Sequence, residues 1–359
     1  MQEYLKLLED LIRLRPVTED IQTVNRATDM IHTFLIGRGL HCAVEELDGR
    51  KILYASNVPG KTPDLLLNAH IDVVPAAYES QYEPEYRDGR IYARGTVDCL
   101  GNAVCMVKIL CEADADMSIG AIFTSNEETG GETTKRMVEL GYAARRAIFV
   151  MDHWDNYGIC CAQKGILIAK LTAHGKGGHS SCPWSFDNPI DKLMDGYIRF
   201  RKTWKNPTED DIWQTSMAAT VIHGGLVGNQ IPDMAEMLLN FRYLRPGENE
   251  EIMQRLRDLT GLEVTMVRTC PPVVVSPDSP ELKMLAGTVE EFTGIQSAFG
   301  RMNGATDARW FSVLNLPIAI IGIEGAGAHS KEEWARIDSI ELLCRIVKAV
   351  SRKYSAGRR

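Results

Sequence analysis

Four short, mostly apolar stretches of the chain run toward a histidine or an acidic residue. They are residues 64–69 before His70, 119–125 before Glu127 and Glu128, 147–151 before Asp152, and 318–323 ahead of His329. Strands that are apolar on both faces are typical of a parallel sheet covered by helices. In such sheets, ligands bind beyond the carboxyl ends of the strands. The pattern therefore predicts an α/β fold with these polar side chains gathered at one edge.

Two further acidic residues lie close to this series. Asp98 ends the segment 95–98, just ahead of a helical stretch, and Asp72 follows two residues after His70. An acidic residue at the position of Asp72 can orient the imidazole ring by accepting a hydrogen bond from the ring nitrogen that does not bind metal. Strands often end in polar residues, so any single position also fits an ordinary strand end. Together they favour a metal site, because all are metal-ligand types in a chain with only eight histidines.

The remaining periodicity separates two kinds of region. Apolar residues spaced near 3.6 predict helices over residues 4–14, 22–38, 101–113, 132–141, 281–293 and 338–354. Residues 41–56 are predicted to form a hairpin that turns at Asp48-Gly49. After about residue 165 the order becomes strand 165–174, helix 187–204, strands 216–223 and 234–242, helix 248–259 and strand 262–269.

The second region has the β-α-β-β-α-β order of ferredoxin-like domains. We therefore predict a first domain formed by residues 1–165 and 278–359, with a ferredoxin-like domain over residues 166–277 inserted into it. The first domain is predicted to be an α/β structure, because its strands alternate with helices.

Composition and charge exclude several classes of partner. The formal net charge is −8, which disfavours nucleic acids and anionic membranes as partners, and no apolar run reaches the length of a membrane span. The first ten residues predict an acidic amphipathic helix instead of a signal peptide. Nine cysteines without a CxxC pair favour free thiols in a reducing cytoplasm, and only Cys99 adjoins a candidate ligand.

The candidate residues suit a pair of divalent ions. Two metals about 3.5–4 Å apart need ligands on both sides and a carboxylate between them, and Asp98 is best placed for that position. In extended backbone, Glu127 and Glu128 would point in opposite directions, so that one binds metal while the other faces the attacking water. The alternative for this pair is an exposed acidic turn.

At this point the chain resembles a known family. The motifs that carry the resemblance are NAHIDVVP (68–75), ARGTVD (93–98), TSNEETGG (124–131), GKGGHSS (175–181), GNQIP (228–232), GATDAR (304–309) and GAGAHS (325–330). They resemble the dinuclear zinc hydrolases that include acetylornithine deacetylase, succinyl-diaminopimelate desuccinylase, aminoacylase and glutamate carboxypeptidase. The resemblance covers nearly the whole chain and implies a zinc-peptidase-like catalytic domain with a mixed sheet.

The resemblance implies a role for each matching residue of the first domain. His70 and Asp152 would hold one Zn²⁺, Glu128 and His329 the other, and Asp98 would bridge the two. Glu127 would be the general base and Asp72 would steady His70. Co²⁺ and Mn²⁺ remain alternatives to Zn²⁺.

The inserted domain is expected, on the same resemblance, to be a lid and a homodimerisation module. His179 would reach the site of the partner subunit and stabilise an oxyanion there. The residues implied in substrate binding are Asn229, Arg242, Gly304 and Thr306. Asp307 lies in the same loop as Thr306. It either lines the substrate pocket or only stabilises the fold.

Two segments depart from the family pattern. Cys99-Leu100-Gly101 stands where the family has Met, Lys and Gly, which predicts an altered pocket rim and leaves a thiol beside the bridging position. Asp152 is followed by His153-Trp154-Asp155, where the family has Glu followed by Pro-Thr. His153 or Asp155 is therefore a rival ligand to Asp152.

The function implied is a cytoplasmic, homodimeric, metal-dependent hydrolase. It would cleave the amide bond of an N-acyl amino acid or of a small peptide with a free carboxylate. Two alternatives remain at this stage: a di- or tripeptidase of the same family, and a catalytically impaired member that only binds a ligand.

Overall fold

The computed structural model describes residues 1–155 and 157–356. The helices are α1 (Gln2–Leu14), α2 (Ile21–Ile36), α3 (Leu100–Cys111), α4 (Glu132–Glu139), α5 (Pro189–Lys202), α6 (Glu248–Thr260), α7 (Pro280–Thr293), α8 (Ala308–Phe311) and α9 (Ile337–Ala356). None of the described helices is both long enough and apolar enough to span a bilayer.

The strands are short in the first part of the chain and longer in the middle. They are β1 (His41–Leu47), β2 (Arg50–Ser56), β3 (Leu65–His70), β4 (Glu85–Arg87), β5 (Arg90–Tyr92), β6 (Ile119–Thr124), β7 (Ala147–Met151), β8 (Ile159–Gln163), β9 (Gly165–His174), β10 (Gly178–His179), β11 (Ser216–Gly224), β12 (Gln230–Ile231), β13 (Met234–Tyr243), β14 (Glu263–Cys270), β15 (Val273–Val274), β16 (Phe299–Met302), β17 (Ile318–Ile321), β18 (Gly325–Ala326) and β19 (Trp334–Arg336).

The chain folds into two compact units. The first comprises Met1–Ala162, Val275–Arg301 and Thr306–Arg359, and the second comprises Gln163–Val274 and Met302–Ala305. In the first unit a mixed sheet has the strand order β1-β2-β6-β3-β7-β17-β8. Strands β6, β3, β7 and β17 are parallel to one another, and all their residues are buried. Their apolar composition on both faces follows from this burial.

Helix α3 fixes the loop that carries Asp98. Its residues are buried from Leu100 to Leu110, because it packs on β3 and on helices α1 and α9. The loop before it lies so close that a Cβ atom on Gly101 would come within 2.1 Å of the carbonyl oxygen of Thr96. Only glycine allows this approach, so the loop 95–98 is held firmly against the helix.

The second unit has its own sheet and its own apolar core. The strand order is β11-β13-β9-β14, with all neighbours antiparallel, and helices α5 and α6 pack on it. The order of elements along the chain is β-α-β-β-α-β. Buried residues of β9, β13 and both helices form a cluster that includes Leu193, Phe200, Phe241 and Leu256.

The predicted α/β class with a mixed sheet is confirmed. The hairpin of β1 and β2 also forms as predicted, and its turn residues Asp48 and Gly49 have φ angles of 50° and 77°. Helix and strand bounds shift by a few residues; strand β3, for example, extends to His70. His70 is therefore part of the sheet instead of following it.

Candidate metal centre

The four parallel strands end at the same edge of the sheet and bring candidate ligands together. In the register of the sheet, His70 lies opposite Thr124, and Met151 lies opposite Ile321. Asp152 therefore follows β7 directly at the level where β3 ends. Glu127 and Glu128 come three and four residues after β6. Because parallel strands share a direction, the sequence pattern was sufficient to predict this gathering.

The carboxylate of Asp98 lies between two imidazole rings. Its Oδ1 atom is 3.0 Å from Nε2 of His70, and its Oδ2 atom is 3.1 Å from Nε2 of His329. Each oxygen therefore faces one histidine. A carboxylate placed in this way has the geometry of a bridge between two cations, one on each side.

Another carboxylate flanks each histidine. Glu128 places Oε1 at 3.1 Å and Oε2 at 3.0 Å from Nε2 of His329, and Asp152 places Oδ1 at 3.9 Å from Nε2 of His70. Donor atoms of His70, Asp98 and Glu128 all lie within 4.8 Å of one another, as do those of His70, Cys99 and Asp152. The five predicted ligand side chains thus meet at one place.

The donor set fits divalent cations. Asp152 is only 6% exposed, yet no residue within 1–155 or 157–356 donates a hydrogen bond to its carboxylate. A buried carboxylate without a donor is costly unless a cation lies beside it. Imidazoles and carboxylates are ligands that zinc accepts where thiolates are few.

The ionisation of these groups reflects the crowding of negative charge. Burial raises the pKa of Asp152 to about 7, and hydrogen bonds to Asp98 and Glu128 raise the pKa of His329 to about 10. Burial opposes protonation of His70, but its acidic neighbours still raise its pKa well above the ordinary value. Burial likewise opposes ionisation of Asp98, but its hydrogen bonds to both histidines lower its pKa. Positive charge is therefore favoured among these carboxylates, as a bound divalent cation would supply it.

Asp72 contacts more than the ring it was predicted to steady. Nδ1 of His70 donates to the main-chain carbonyl of Asp72 at 2.9 Å, whereas the carboxylate of Asp72 is 3.6 Å from Nδ1. That carboxylate accepts hydrogen bonds from Thr18 Oγ1 at 2.8 Å and from the Glu127 amide at 3.2 Å. Because a carbonyl only accepts, Nδ1 carries the proton and Nε2 faces Asp98.

The extended backbone predicted for Glu127 and Glu128 is wrong. Glu127–Thr129 form a 3₁₀ turn, which Gly130 and Gly131 close with φ angles of 157° and 72°. Positive φ angles at two successive glycines curl the chain immediately after β6. The two carboxylates still have different partners, because Glu128 faces His329 whereas Glu127 faces Arg309.

Glu127 is held in a buried, charged environment. Its Oε1 atom is 3.1 Å from a guanidinium nitrogen of Arg309, and its side chain is 11% exposed. Burial raises the pKa of Glu127 well above the ordinary value, although Arg309 opposes the shift. A carboxyl with a raised pKa can both take up and release a proton near neutral pH.

Glu333 is a site residue that the sequence did not reveal. One carboxylate oxygen accepts hydrogen bonds from the amides of Val97 and Asp98 at 3.0 and 3.1 Å, and the other accepts from the Gly95 amide at 3.0 Å. Arg94 forms a buried ion pair with the same carboxylate. Glu333 therefore ties the Asp98 loop to the segment that carries His329. In the sequence, the only indication of Glu333 as a site residue is that it follows His329 by four residues.

Asp307 and Thr306 also lie in the first unit. The Oδ2 atom of Asp307 accepts hydrogen bonds from the hydroxyls of Thr124 and Thr134 at 2.7 and 2.5 Å. The Thr306 hydroxyl accepts from the amide of Ala308 at 3.2 Å, at the start of α8. These contacts support the structural assignment of Asp307. The substrate-binding role of Thr306 stays a prediction.

Four predicted residues belong to the second unit: His179, Asn229, Arg242 and Gly304. His179 is exposed in a two-stranded ribbon of β10 and β12, and the neighbouring Ser180 amide donates to the carbonyl of Asn229 at 3.0 Å. Arg242 lies near the end of β13. The roles of these four residues stay predictions.

The rival ligands beside Asp152 have other surroundings. Nε2 of His153 lies 3.5 Å from the sulfur of Cys160, and burial lowers the pKa of His153. Asp155 is exposed. Within the described residues, neither cluster of candidate metal donors includes His153 or Asp155. Asp152 is thus the better placed carboxylate.

Comparison with known proteins identifies the family. The model of peptidase family M20/M25/M40 matches residues 66–353. Among curated proteins, the succinyl-diaminopimelate desuccinylase of Sulfurovum sp. (strain NBC37-1) is 22% identical over 369 residues, covering 98% of this chain and 99% of that protein. The enzyme of the same name from Wolbachia pipientis is 26% identical over 375 residues, covering 98% and 93%.

Solved structures share the fold at low identity. A tripeptidase from Staphylococcus aureus superposes with a TM-score of 0.81 at 18% identity, covering 99% of this chain and 98% of that one. A dinuclear metal binding peptidase of the M20 family from Bacillus subtilis gives 0.71 at 15% identity, covering 99% and 98%. The resemblance inferred from the motifs is confirmed: the chain belongs to peptidase family M20/M25/M40 and is a hydrolase of amide or peptide bonds.

Proposed function

We propose that this chain is a deacylase that uses two divalent ions, Zn²⁺ first among them, to hydrolyse N-acyl amino acids with a free carboxylate. The observation that carries the proposal is the Asp98 carboxylate, which lies 3.0 Å from His70 and 3.1 Å from His329. His70 and Asp152 would hold one ion, and Glu128 and His329 the other. When bound, such ions polarise the scissile carbonyl and acidify the attacking water.

Glu127 is the proposed general base. Its carboxylate is not among the clustered metal donors, and its raised pKa suits a group that takes a proton from water and passes it to the leaving nitrogen. Arg309 and the turn after β6 hold the carboxylate in place. Asp72 supports this position indirectly, because its carboxylate accepts the Glu127 amide hydrogen bond.

Arg242 is the proposed partner of the substrate carboxylate. It lines a cavity of about 350 Å³ within the second unit, together with Lys164, Thr208, Glu209, Ser216 and Asn303. Lys164 is buried, and its ammonium donates to two main-chain carbonyls at 2.7 and 2.9 Å. The guanidinium and the ammonium outnumber the one carboxylate of the cavity, Glu209, which favours an anionic group, and arginine can bind a carboxylate through two hydrogen bonds. Asn229, Gly304 and Thr306 are proposed as further substrate contacts.

A homodimer formed through the second unit completes the proposal. Strand β11 is the outer strand of its sheet, and its residues 218–224 are exposed, with Ile222 at 55%. An exposed, partly apolar outer strand readily pairs with another chain. In such a dimer, His179 of the partner subunit would donate to the developing oxyanion. The Ser181 amide donates to Nδ1 of His179 at 3.2 Å, which leaves Nε2 as the donor in the neutral ring.

The proposed compartment is the cytoplasm. All nine cysteines are free thiols, and six of them are buried. Buried thiols without disulfides are the usual pattern in a reducing compartment.

The test is metal analysis of the purified protein combined with a hydrolysis panel. The panel sets N-succinyl, N-acetyl and N-formyl amino acids against di- and tripeptides, with Zn²⁺, Co²⁺ or Mn²⁺ added to the metal-free protein. We expect about two ions per chain and faster turnover of the acylated amino acids. A preference for peptides would favour the tripeptidase alternative, to which the similar S. aureus structure points. No bound metal and no turnover would instead identify a non-catalytic ligand-binding member.

A further inference from the structure

Cys99 lies immediately beside the residue proposed to bridge the two ions. Its side chain is fully buried, and its thiol donates to the carbonyl oxygen of Met151 at 2.9 Å. Met151 is the last residue of β7, so the next residue along that chain is Asp152. The thiol therefore reaches the strand end that carries one of the proposed ligands.

The sulfur atom is one of three clustered donors. The donor atoms of His70, Cys99 and Asp152 lie within 4.8 Å of one another, and all three residues are buried. In the tetrahedral zinc sites of proteins, metal–ligand bonds of about 2.0–2.3 Å place the ligand atoms at comparable separations. The other cluster, formed by His70, Asp98 and Glu128, contains no sulfur. The two sides of the centre therefore differ in their donors.

A second observation indicates that a cation belongs at this place. The Asp152 carboxylate is nine-tenths buried or more, and within residues 1–155 and 157–356 it accepts no hydrogen bond. His70 approaches it at 3.9 Å, which is an ion-pair distance but too long for a hydrogen bond. A cation between these side chains would compensate the carboxylate, and the sulfur of Cys99 would face the same cation.

We infer that Cys99 is a thiolate ligand of the ion held by His70 and Asp152, an inference that rests on the proposed dinuclear site. On binding, the thiol gives up its hydrogen bond to Met151, its proton passes to solvent, and the sulfur donates an electron pair to the ion. No redox change is involved. The centre then has one sulfur-containing site, and a second site made of nitrogen and oxygen only.

This asymmetry predicts a metal preference. Thiolates favour Zn²⁺ and Cd²⁺, whereas carboxylate sites accept Mn²⁺ more readily. The ion beside Cys99 should therefore exchange for Cd²⁺ in preference to Mn²⁺. The ion held by Glu128 and His329 should show a weaker preference.

X-ray absorption spectroscopy of the full-length protein loaded with Zn²⁺ alone tests the inference without any substitution. Zinc–sulfur bonds are about 2.3 Å long, against about 2.0–2.2 Å for nitrogen and oxygen ligands, so the two shells are distinguishable. With two ions bound we expect about one sulfur for every two zinc ions, because the thiolate binds one ion and the spectrum averages over both. A spectrum fitted by nitrogen and oxygen alone overturns the inference.

A second test compares two cysteine variants in the Co²⁺-loaded protein. Protein loaded with Co²⁺ alone should show a near-ultraviolet sulfur-to-cobalt charge-transfer band that Cys99→Ala loses and Cys105→Ala keeps. Cys105 is an equally buried cysteine in α3 whose thiol donates to the carbonyl of Ile340 at 3.4 Å. Cys99→Ala should also lower the Cd²⁺ over Mn²⁺ preference about tenfold or more.

The outcomes separate this inference from the proposed function. Two bound ions without sulfur in their coordination, with hydrolysis intact, overturn the Cys99 assignment and leave the deacylase proposal standing. If the protein binds no metal, both fail. If Cys99→Ala does not fold, the wild-type absorption spectrum still decides the question.

Discussion

The two histidines that face Asp98 are set in very different surroundings. The side chain of His70 is 1% exposed, and this residue ends a buried central strand. The side chain of His329 is 53% exposed, and this residue lies in a loop at a φ angle of 61°. The centre therefore has a buried side, formed by His70, Asp152 and Cys99, and a second side that reaches solvent through His329. This second side, the open side, also includes Glu128, whose side chain is only 8% exposed.

The two proposed metal sites are therefore held in place by different parts of the structure. On the buried side, His70 ends β3, Asp152 directly follows β7 and Cys99 directly precedes α3, so the fold defines their geometry before an ion arrives. On the open side, both ligands are held outside the strands and helices of the sheet layer, and His329 reaches solvent. We therefore expect the open side to exchange its ion faster, since exchange needs solvent access and ligand movement.

Replacing His70 or His329 in the metal-free protein is expected to give the largest difference in stability between the two sides. His70→Ala should lower the free energy of unfolding by about 3–5 kcal/mol, because it leaves buried carboxylates without their cationic partner. His329→Ala should cost about 1 kcal/mol or less, since its imidazole is 53% exposed and water can take its place beside the two carboxylates. Both variants should lose turnover. Urea unfolding of the metal-free proteins measures the difference, and equal losses would contradict it.

Glu127→Gln tests the proposed general base. The variant should keep both ions and lose about 10²- to 10⁴-fold in turnover, because the amide cannot take the proton from water. The measurements are metal content and the rate at saturating substrate. Glu132→Gln, an exposed neighbour in α4, is the matched control and should keep the wild-type rate. Near-wild-type turnover of Glu127→Gln would exclude the proposed base.

Glu333→Gln tests whether the open side is tied to the buried one. We expect a loss of about 3–5 kcal/mol, because Arg94 then lies buried without its counter-charge. Glu332→Gln changes the exposed adjacent residue and should be close to neutral. Thermal unfolding of both variants gives the comparison. Similar stabilities would show that the Asp98 loop does not depend on this carboxylate.

Thr18→Val is expected to have the smallest effect. It removes the hydroxyl that donates to Asp72 at 2.8 Å and should cost about 1 kcal/mol. Thr28→Val is the control, because that hydroxyl is also buried but donates to Val24 within α2. A larger loss from the control would place the stabilising contribution in the helix instead of behind the buried ligand.

The sequence was informative where a local pattern determines the structure. The parallel strands could be predicted because each apolar run is visible in the local sequence alone. Parallel strands then bring their carboxyl ends to one edge of the sheet. Asp98 was found because it lies directly before a helix that is apolar along its length. These features place all five proposed ligands.

The contacts that support the ligands could not be predicted in the same way. Glu333 and Arg94 are far apart in the chain, and nothing in either neighbourhood indicates that they form a buried pair. Arg309 reaches Glu127 from helix α8, 182 residues further along the chain. The apolar pattern of β6 ends before Glu127 and Glu128, so it does not indicate the 3₁₀ turn that these residues form instead of extended backbone.

The order of ligands along the chain has a consequence for how the protein is made. A chain leaving the ribosome presents His70, Asp98, Glu128 and Asp152 early, then all of the second compact unit, and only afterwards His329. The set of five proposed ligands is therefore incomplete for much of synthesis. Any ion captured during that interval has to be held without His329, so metal loading is expected to begin around His70 and to finish when the last histidine emerges.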